Sequence, residues 1–121
     1  MAMWNNGTIN FWYSGTGSFL LSSTALTIGN WSHICGVVTS QSDVKIYMNG
    51  RLDGSRVTAT GAFTLTPVGG KFIIGNEGQL QAGRYFPGLI DDVRIFPTNL
   101  TASEVGKLYA SEAPRFNVAV K

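Results

Sequence analysis

Seven carboxylates, one histidine and one cysteine are the residues of this chain best suited to chemistry: Asp43, Asp53, Glu77, Asp91, Asp92, Glu104 and Glu112, with His33 and Cys35. Hydrolysis of a glycosidic bond needs two carboxyl groups about 5–10 Å apart, and alternate positions on a strand would put them on one face. No such spacing is present. Asp91 and Asp92 are adjacent, so on a strand they face opposite sides. Asp43 and Asp53 flank a hairpin, and Glu104 belongs to a helix cap. Ser-His-Asp chemistry would have to run through His33, which lies within a strand-like run and reads as a structural histidine bonded to a neighbouring strand or loop. Cys35 has no second cysteine, and with one histidine it cannot build a zinc site; it reads as a small buried hydrophobe. No catalytic residue is assigned, and the chain is expected not to be an enzyme.

Carbohydrate recognition asks for different residues: an aromatic face for the sugar C–H groups, beside amides or charged groups that hydrogen-bond hydroxyls. Trp4, Trp12, Tyr13, Tyr47, Arg84 and Tyr85 are the candidates. The loop 77–85 is polar and glycine-bearing and ends in Arg84 and Tyr85. Loops on a rigid scaffold are where binding residues concentrate.

The elements that must position these residues are short strands. Turn formers recur at short intervals (Asn6-Gly7, Gly29-Asn30, Asn49-Gly50, Asp53-Gly54, Gly69-Gly70, Gly75-Asn76, Pro87-Gly88), with runs rich in Val, Ile, Phe, Tyr and Thr between them. This spacing predicts antiparallel strands over 8–13, 18–22, 25–28, 32–39, 44–48, 51–58, 71–74 and 89–96. In the 44–48 run, Val44, Ile46 and Met48 point one way, Lys45 and Tyr47 the other. Asn49-Gly50 between strand-like residues predicts a type I′ hairpin, since both residues accept positive φ. Thr101-Ala102-Ser103-Glu104 is a capping box that starts one short helix, predicted over 102–109 with Val105, Leu108 and Tyr109 on one face. The segment after Pro114 reads as a last strand or a loose tail.

The 121 residues suit one domain with one core, and 44% are apolar. Only 13% are charged, about half the usual share, with Thr, Ser, Gly and Asn in their place. That composition is common in extracellular and virion-surface β proteins. The net charge is +2 and the basic residues are scattered, which argues against nucleic acid as a partner. No apolar stretch approaches the roughly 18 residues needed to span a bilayer, and the N-terminal residues do not read as a secretory signal. Asn6-Gly7-Thr8, Asn30-Trp31-Ser32 and Asn99-Leu100-Thr101 are glycosylation sequons, relevant only in a eukaryotic secretory setting.

Four segments, read in order, resemble a known pattern. Trp31-Ser32-His33-Ile34-Cys35 is similar to the "W-x-H-(I/V)" strand of laminin-G-like and pentraxin-like domains. Val44 to Leu52, with Tyr47-Met48-Asn49-Gly50 at its centre, is similar to their strand and Asn-Gly turn. Ile74-Gly75-Asn76, followed by Phe86-Pro87-Gly88-Leu89-Ile90-Asp91-Asp92-Val93-Arg94-Ile95-Phe96, resembles "iG…F-x-G-x-I-D-D-V-R-I-F". Leu100 to Leu108 resembles the "L-T-x-x-E-V-x-x-L" that follows. The resemblance covers about residues 29–109.

It implies a concanavalin A-like fold: an all-β, antiparallel jelly-roll sandwich. The helix near 102–109 joins it in one laminin-G-like domain, 1–121, shortened at its N-terminus relative to the family. The family pattern makes Trp31, Phe86, Ile90 and Ile95 core residues. The loop from Gly75 resembles the pentraxin calcium loop, which makes Glu77, Asn76 and Gln79 the candidate metal ligands. Gln79 stands where the family has an aspartate, and one carboxylate is a poor calcium site unless Asp43, Asp53 or Asp91 joins it. No cofactor is required, and calcium is the one metal the loop could take. A separate reading pairs Asp92 with Arg94 as a structural contact.

Together these readings predict a non-catalytic binding or adhesion module for carbohydrate or a surface glycoconjugate, with Asn76, Glu77, Arg84 and Tyr85 as the binding residues. The alternative is a structural assembly or decoration component of a virion, fibre or cell surface. Expected partners are a glycan or a surface protein, and further copies of the chain through an unpaired sheet edge. No nucleic acid and no membrane insertion are expected. The expected location is extracellular, at a cell surface or on a virion.

Overall fold

A computed structural model describes residues 2–3, 6–12, 19–40, 43–57, 73–76 and 85–116. Among these residues six strands form two antiparallel three-stranded sheets. The first holds β1 (Ala2–Met3), β2 (Thr8–Trp12) and β3 (Phe19–Ala25) in the order β1-β2-β3. The second holds β4 (Ile34–Ser40), β5 (Asp43–Met48) and β6 (Arg51–Val57) in the order β4-β5-β6. One helix, α1 (Ala102–Phe116), follows.

The alternation of β5 makes the second sheet the middle layer. Val44, Ile46 and Met48 meet Ile9 and Leu20 of the first sheet, with Leu26, Ile34 and Val38 packed around them. On the opposite face Tyr47 and Val37 meet Val105 of α1, flanked by Cys35 and Leu100. Val44, Ile46 and Val105 are fully buried, each contributing about 1.5–3 kcal/mol relative to exposure. Cys35 is half-buried in this second cluster and burial pushes its thiol pKa up.

Between β5 and β6 the chain turns through Asn49 (φ 50) and Gly50 (φ 76), the pair of positive φ values that a type I′ hairpin requires. The turn is also where the helix seats. A Cβ on Gly50 would lie 2.9 Å from Tyr109 Cδ1, and one on Gly106 would lie 3.8 Å from the Gly50 carbonyl oxygen. Gly50, lacking a Cβ, thus lets Tyr109 of α1 seat against the turn, while Gly106 faces it at ordinary contact distance.

Two irregularities join the sheets. The β2–β3 register jumps between Thr8↔Ala25 and Asn10↔Leu21, so β3 bulges over residues 22–24. The buried Ser22 hydroxyl fills the gap, accepting from Ile9 N–H at 2.8 Å and donating to Thr24 O at 2.7 Å. The β5–β6 register jumps between Ile46↔Gly54 and Tyr47↔Leu52, which leaves Asp53 as the extra residue of β6. The two bulges face each other. Asp53 Oδ2 accepts the N–H of Ser23 at 2.6 Å and of Thr24 at 3.0 Å, and the Ser23 hydroxyl donates to Asp53 O at 2.8 Å.

Several expected boundaries change for physical reasons. The run 18–22 continues through residues 23–25 as one strand, β3, whose polar middle is a bulge with its backbone satisfied by side chains, while 26–28 of the run 25–28 are not in a strand. Asp53-Gly54 is that second bulge, not a turn. The helix runs past 109 to Phe116 and carries Pro114 within it, so Arg115 and Phe116 are neither strand nor loose tail. Its capping box forms as expected: Thr101 N–H donates to Glu104 Oε2 at 2.7 Å and Glu104 N–H to Thr101 Oγ1 at 3.2 Å. Of the run 71–74, residues 73 and 74 are not in a strand, and 71 and 72 lie outside the described residues. The run 89–96 is not a strand either. Asp92 sits at φ 50, which breaks the extended alternation, and its carboxylate is turned to Arg94 and Arg115.

Candidate binding site

Among the described residues, one backbone bond joins the two segments that flank the loop expected to bind. Phe86 N–H donates to Gly75 O at 2.8 Å, with Gly75 at φ 80, and Ile90 Cδ1 packs 3.7 Å from where a Gly75 Cβ would lie. Asn76 and Tyr85 are each one residue further into the loop, so this bond brings them near each other. Tyr85 is 63% exposed and Asn76 is half-buried. The remaining expected residues of this site, Glu77, Gln79 and Arg84, lie outside the described residues.

Other aromatic candidates sort differently. Tyr47 is buried beneath α1 and offers no platform. Trp4 and Tyr13 lie outside the described residues, and the described part of Trp12 is its place in β2. Three expected core residues are exposed: Trp31, at 42%, and Ile90 and Ile95. Instead of entering the core between the sheets, Trp31 packs its ring 4.9 Å from that of the half-buried Phe116 near the end of α1. Ile90 and Ile95 are exposed because the 89–96 segment forms no sheet face. Phe86 is half-buried.

The carboxylates that might have completed a calcium set are engaged elsewhere. Asp53 binds the β3 bulge; burial opposes its ionisation, but hydrogen bonds from Thr24 and Ser23 outweigh that and hold its carboxyl below the ordinary value. Asp43 pairs with Lys45 at 2.8 Å. Asp91 Oδ1 accepts the adjacent Asp92 N–H at 2.7 Å. Among the described residues no three His, Cys, Asp or Glu side chains converge as metal ligands do. The expected ligand set of Asn76, Glu77 and Gln79 carries one carboxylate in all.

A second constellation was not anticipated as a unit. Arg94 Nη1 lies 2.8 Å from Glu112 Oε1, an ion pair rather than an aligned hydrogen bond. Arg94 also lies 3.7 Å from Asp92, as the sequence pairing of Asp92 with Arg94 anticipates, and Arg115 pairs with the other Asp92 oxygen. His33 Nε2 stands 3.7 Å from Glu112 Oε2, with the Tyr109 ring 5.9 Å away. His33 is tied to the hairpin as well: its N–H donates to Asn49 Oδ1 and its carbonyl accepts Asn49 N–H, both at 2.9 Å. Desolvation lowers the imidazole pKa; Glu112 opposes the shift and Arg94 adds to it. Two carboxylates thus face two guanidiniums, with the His33 imidazole beside Glu112. The groups are consumed in clamping α1 to the start of β4 and to residues 92–94, so this cluster holds structure. The signal for it was Val105, Tyr109, Glu112 and Phe116 at helical spacing, masked by Gly106 and Pro114.

The chain matches, over residues 1–106, a laminin G family model described as the concanavalin A-like lectin/glucanases superfamily. No curated protein matches. Among solved structures, a crystal structure of an S-layer domain-containing protein (residues 221–444) from Clostridium thermocellum superposes with a TM-score of 0.59. The two are 24% identical, over 90% of this chain and 68% of that one, a likeness of fold. Two antiparallel sheets, one helix and a family match over most of the sequence lead to one conclusion: the chain belongs to the concanavalin A-like lectin/glucanases superfamily.

Proposed function

We propose that this chain is a non-catalytic binding module that acts at a cell or virion surface and takes a carbohydrate or surface glycoconjugate as its ligand. The observation that supports the reading is the Gly75–Phe86 backbone bond, which brings the adjacent residues Asn76 and Tyr85 near each other, with Tyr85 exposed. An aromatic face beside an amide is what a sugar ring needs, and Arg84 and Glu77, next in the chain on either side, supply charged hydrogen-bonding groups. Calcium is not required, because the donor set holds one carboxylate. The surface location draws support from the similar structure, that of an S-layer domain-containing protein.

A glycan array in calcium, repeated in chelator, tests this with wild type and Tyr85→Ala. Binding that survives chelator and is lost in Tyr85→Ala is the expected result. Loss in chelator would instead make Glu77 a calcium ligand. No binding in either buffer would overturn the carbohydrate reading. A second reading, an assembly or decoration component, is favoured by one observation: a run of exposed apolar side chains from Leu89 to Phe96.

A further inference from the structure

We infer that the exposed apolar segment from Leu89 to Phe96 is a docking surface for a second copy of this chain, an inference that rests on the assembly reading. Leu89, Ile90, Val93, Ile95 and Phe96 are exposed by 79%, 46%, 50%, 73% and 42%, and Ile74, beside them through the Gly75–Ile90 contact, by 53%. Scattered apolar residues are ordinary on a surface; six gathered on one short segment and its neighbour mark an interaction site. Their combined exposure is of the same order as the roughly 800 Å² that each partner contributes to a standard interface.

The occupant follows from the order of residues. A two-fold axis brings a segment against itself in the opposite direction, so each residue meets its mirror in the sequence. About an axis between Asp92 and Val93, Leu89 meets Phe96, Ile90 meets Ile95, and Asp91 meets Arg94. In the two outer pairs apolar residues fall on apolar residues, Asp91 and Arg94 are opposite in charge, and at the axis Val93 meets Asp92, whose carboxylate is turned to Arg94 and Arg115. Asp91 is exposed and makes no ion pair among the described residues. Arg94 has five N–H donors and can take a partner's Asp91 while holding Glu112. The left-handed backbone at Asp92 makes this a contact of side chains, not a continuous ladder of backbone bonds. An anionic membrane is the poorer occupant, because Arg94 is the single basic residue between Tyr85 and Leu100 and two acids stand beside it.

Sedimentation velocity and light scattering on wild type over a micromolar concentration series test the inference. The expected result is a reversible species of twice the 13.0 kDa monomer mass. Leu89→Lys with Ile95→Lys should leave a monomer with an unchanged circular dichroism spectrum, since both side chains are exposed. Asp91→Arg, which alters no apolar group, should weaken the dimer at least tenfold by setting it against a partner's Arg94. A wild-type monomer at every concentration overturns the inference. So does a dimer indifferent to both variants, although assembly through another face would leave the assembly reading standing. Capture of monomeric wild type by phosphatidylcholine/phosphatidylserine vesicles would overturn it in favour of a membrane.

Discussion

Ser23 donates its backbone N–H to Asp53 Oδ2 at 2.6 Å, across the join between the two sheets. Each residue lies in the bulge of its own strand, so the amides that β3 withholds from β2 are satisfied by a carboxylate that β6 pushes outward. Asp53→Ala should cost about 1–2 kcal/mol by exchanging the charged acceptor of the exposed Ser23 and Thr24 amides for water. Asp53→Asn, which keeps one oxygen, should cost less. Urea denaturation reads both, and an unchanged midpoint in Asp53→Ala would refute the account.

Gly54 tests the same join sterically. A Cβ there would lie 2.7 Å from the Leu21 carbonyl oxygen, and backbone cannot swing aside as a side-chain tip can. Gly54→Ala should destabilise by about 1–3 kcal/mol, the range for overpacking. Gly29→Ala is a useful contrast, since it meets no atom within 4 Å and carries strain only from its φ of 83. Thermal melts of the two should separate crowding from backbone strain, and equal losses would argue against the close approach at Gly54.

The Arg94–Glu112 contact predicts how the 92–94 segment and α1 depend on each other. Glu112 is 7% exposed, so Arg94→Ala strands a buried carboxylate with only a neutral imidazole nearby. The loss should be about 2 kcal/mol, below the value for a fully buried pair because the guanidinium is partly solvated. Replacing both, Arg94→Leu with Glu112→Leu, should cost less than Arg94→Ala alone. A double-mutant cycle with no coupling would contradict the ion pair.

His33 carries a pH dependence with a definite sign. Its folded pKa lies below the ordinary 6.5, chiefly through desolvation, so below pH 6.5 the unfolded chain binds the proton more readily than the folded one. Stability should therefore fall as pH drops from 7 through 6.5 towards the folded pKa. His33→Gln should flatten that slope. A slope of equal size in the variant would assign the effect to other groups.

Much of the second sheet was legible because its signals are local. Asn49-Gly50 gave the hairpin, since those residue types tolerate positive φ at little cost. The alternation of Val44, Ile46 and Met48 against Lys45 and Tyr47 gave the two faces of β5. Thr101 and Glu104 gave the start of α1. Each rests on residues within a few positions of one another.

Long-range contacts decided the rest. The end of α1 was misplaced because propensity stops it near Gly106 and Pro114. Gly106 is instead accommodated against the Gly50 turn, and the last turns are held by Trp31 on Phe116 and by Asp92 with Arg115. Asp53-Gly54 has the composition of a turn, and only its register against β5 and its reach to β3 make it a bulge. Leu89 to Phe96 has the composition of a buried strand, yet Asp92 leaves the extended conformation to meet two arginines from different parts of the chain. At the candidate site the sequence alone picked out Asn76 and Tyr85 as residue types suited to a sugar, while the backbone bond from Phe86 to Gly75 brought them near each other. Residue type and spacing determine hairpins, caps and faces because those energies are local. Which polar groups meet across sheets, and where an apolar run is left exposed, depends on partners distant in sequence and is decided only when the chain has folded.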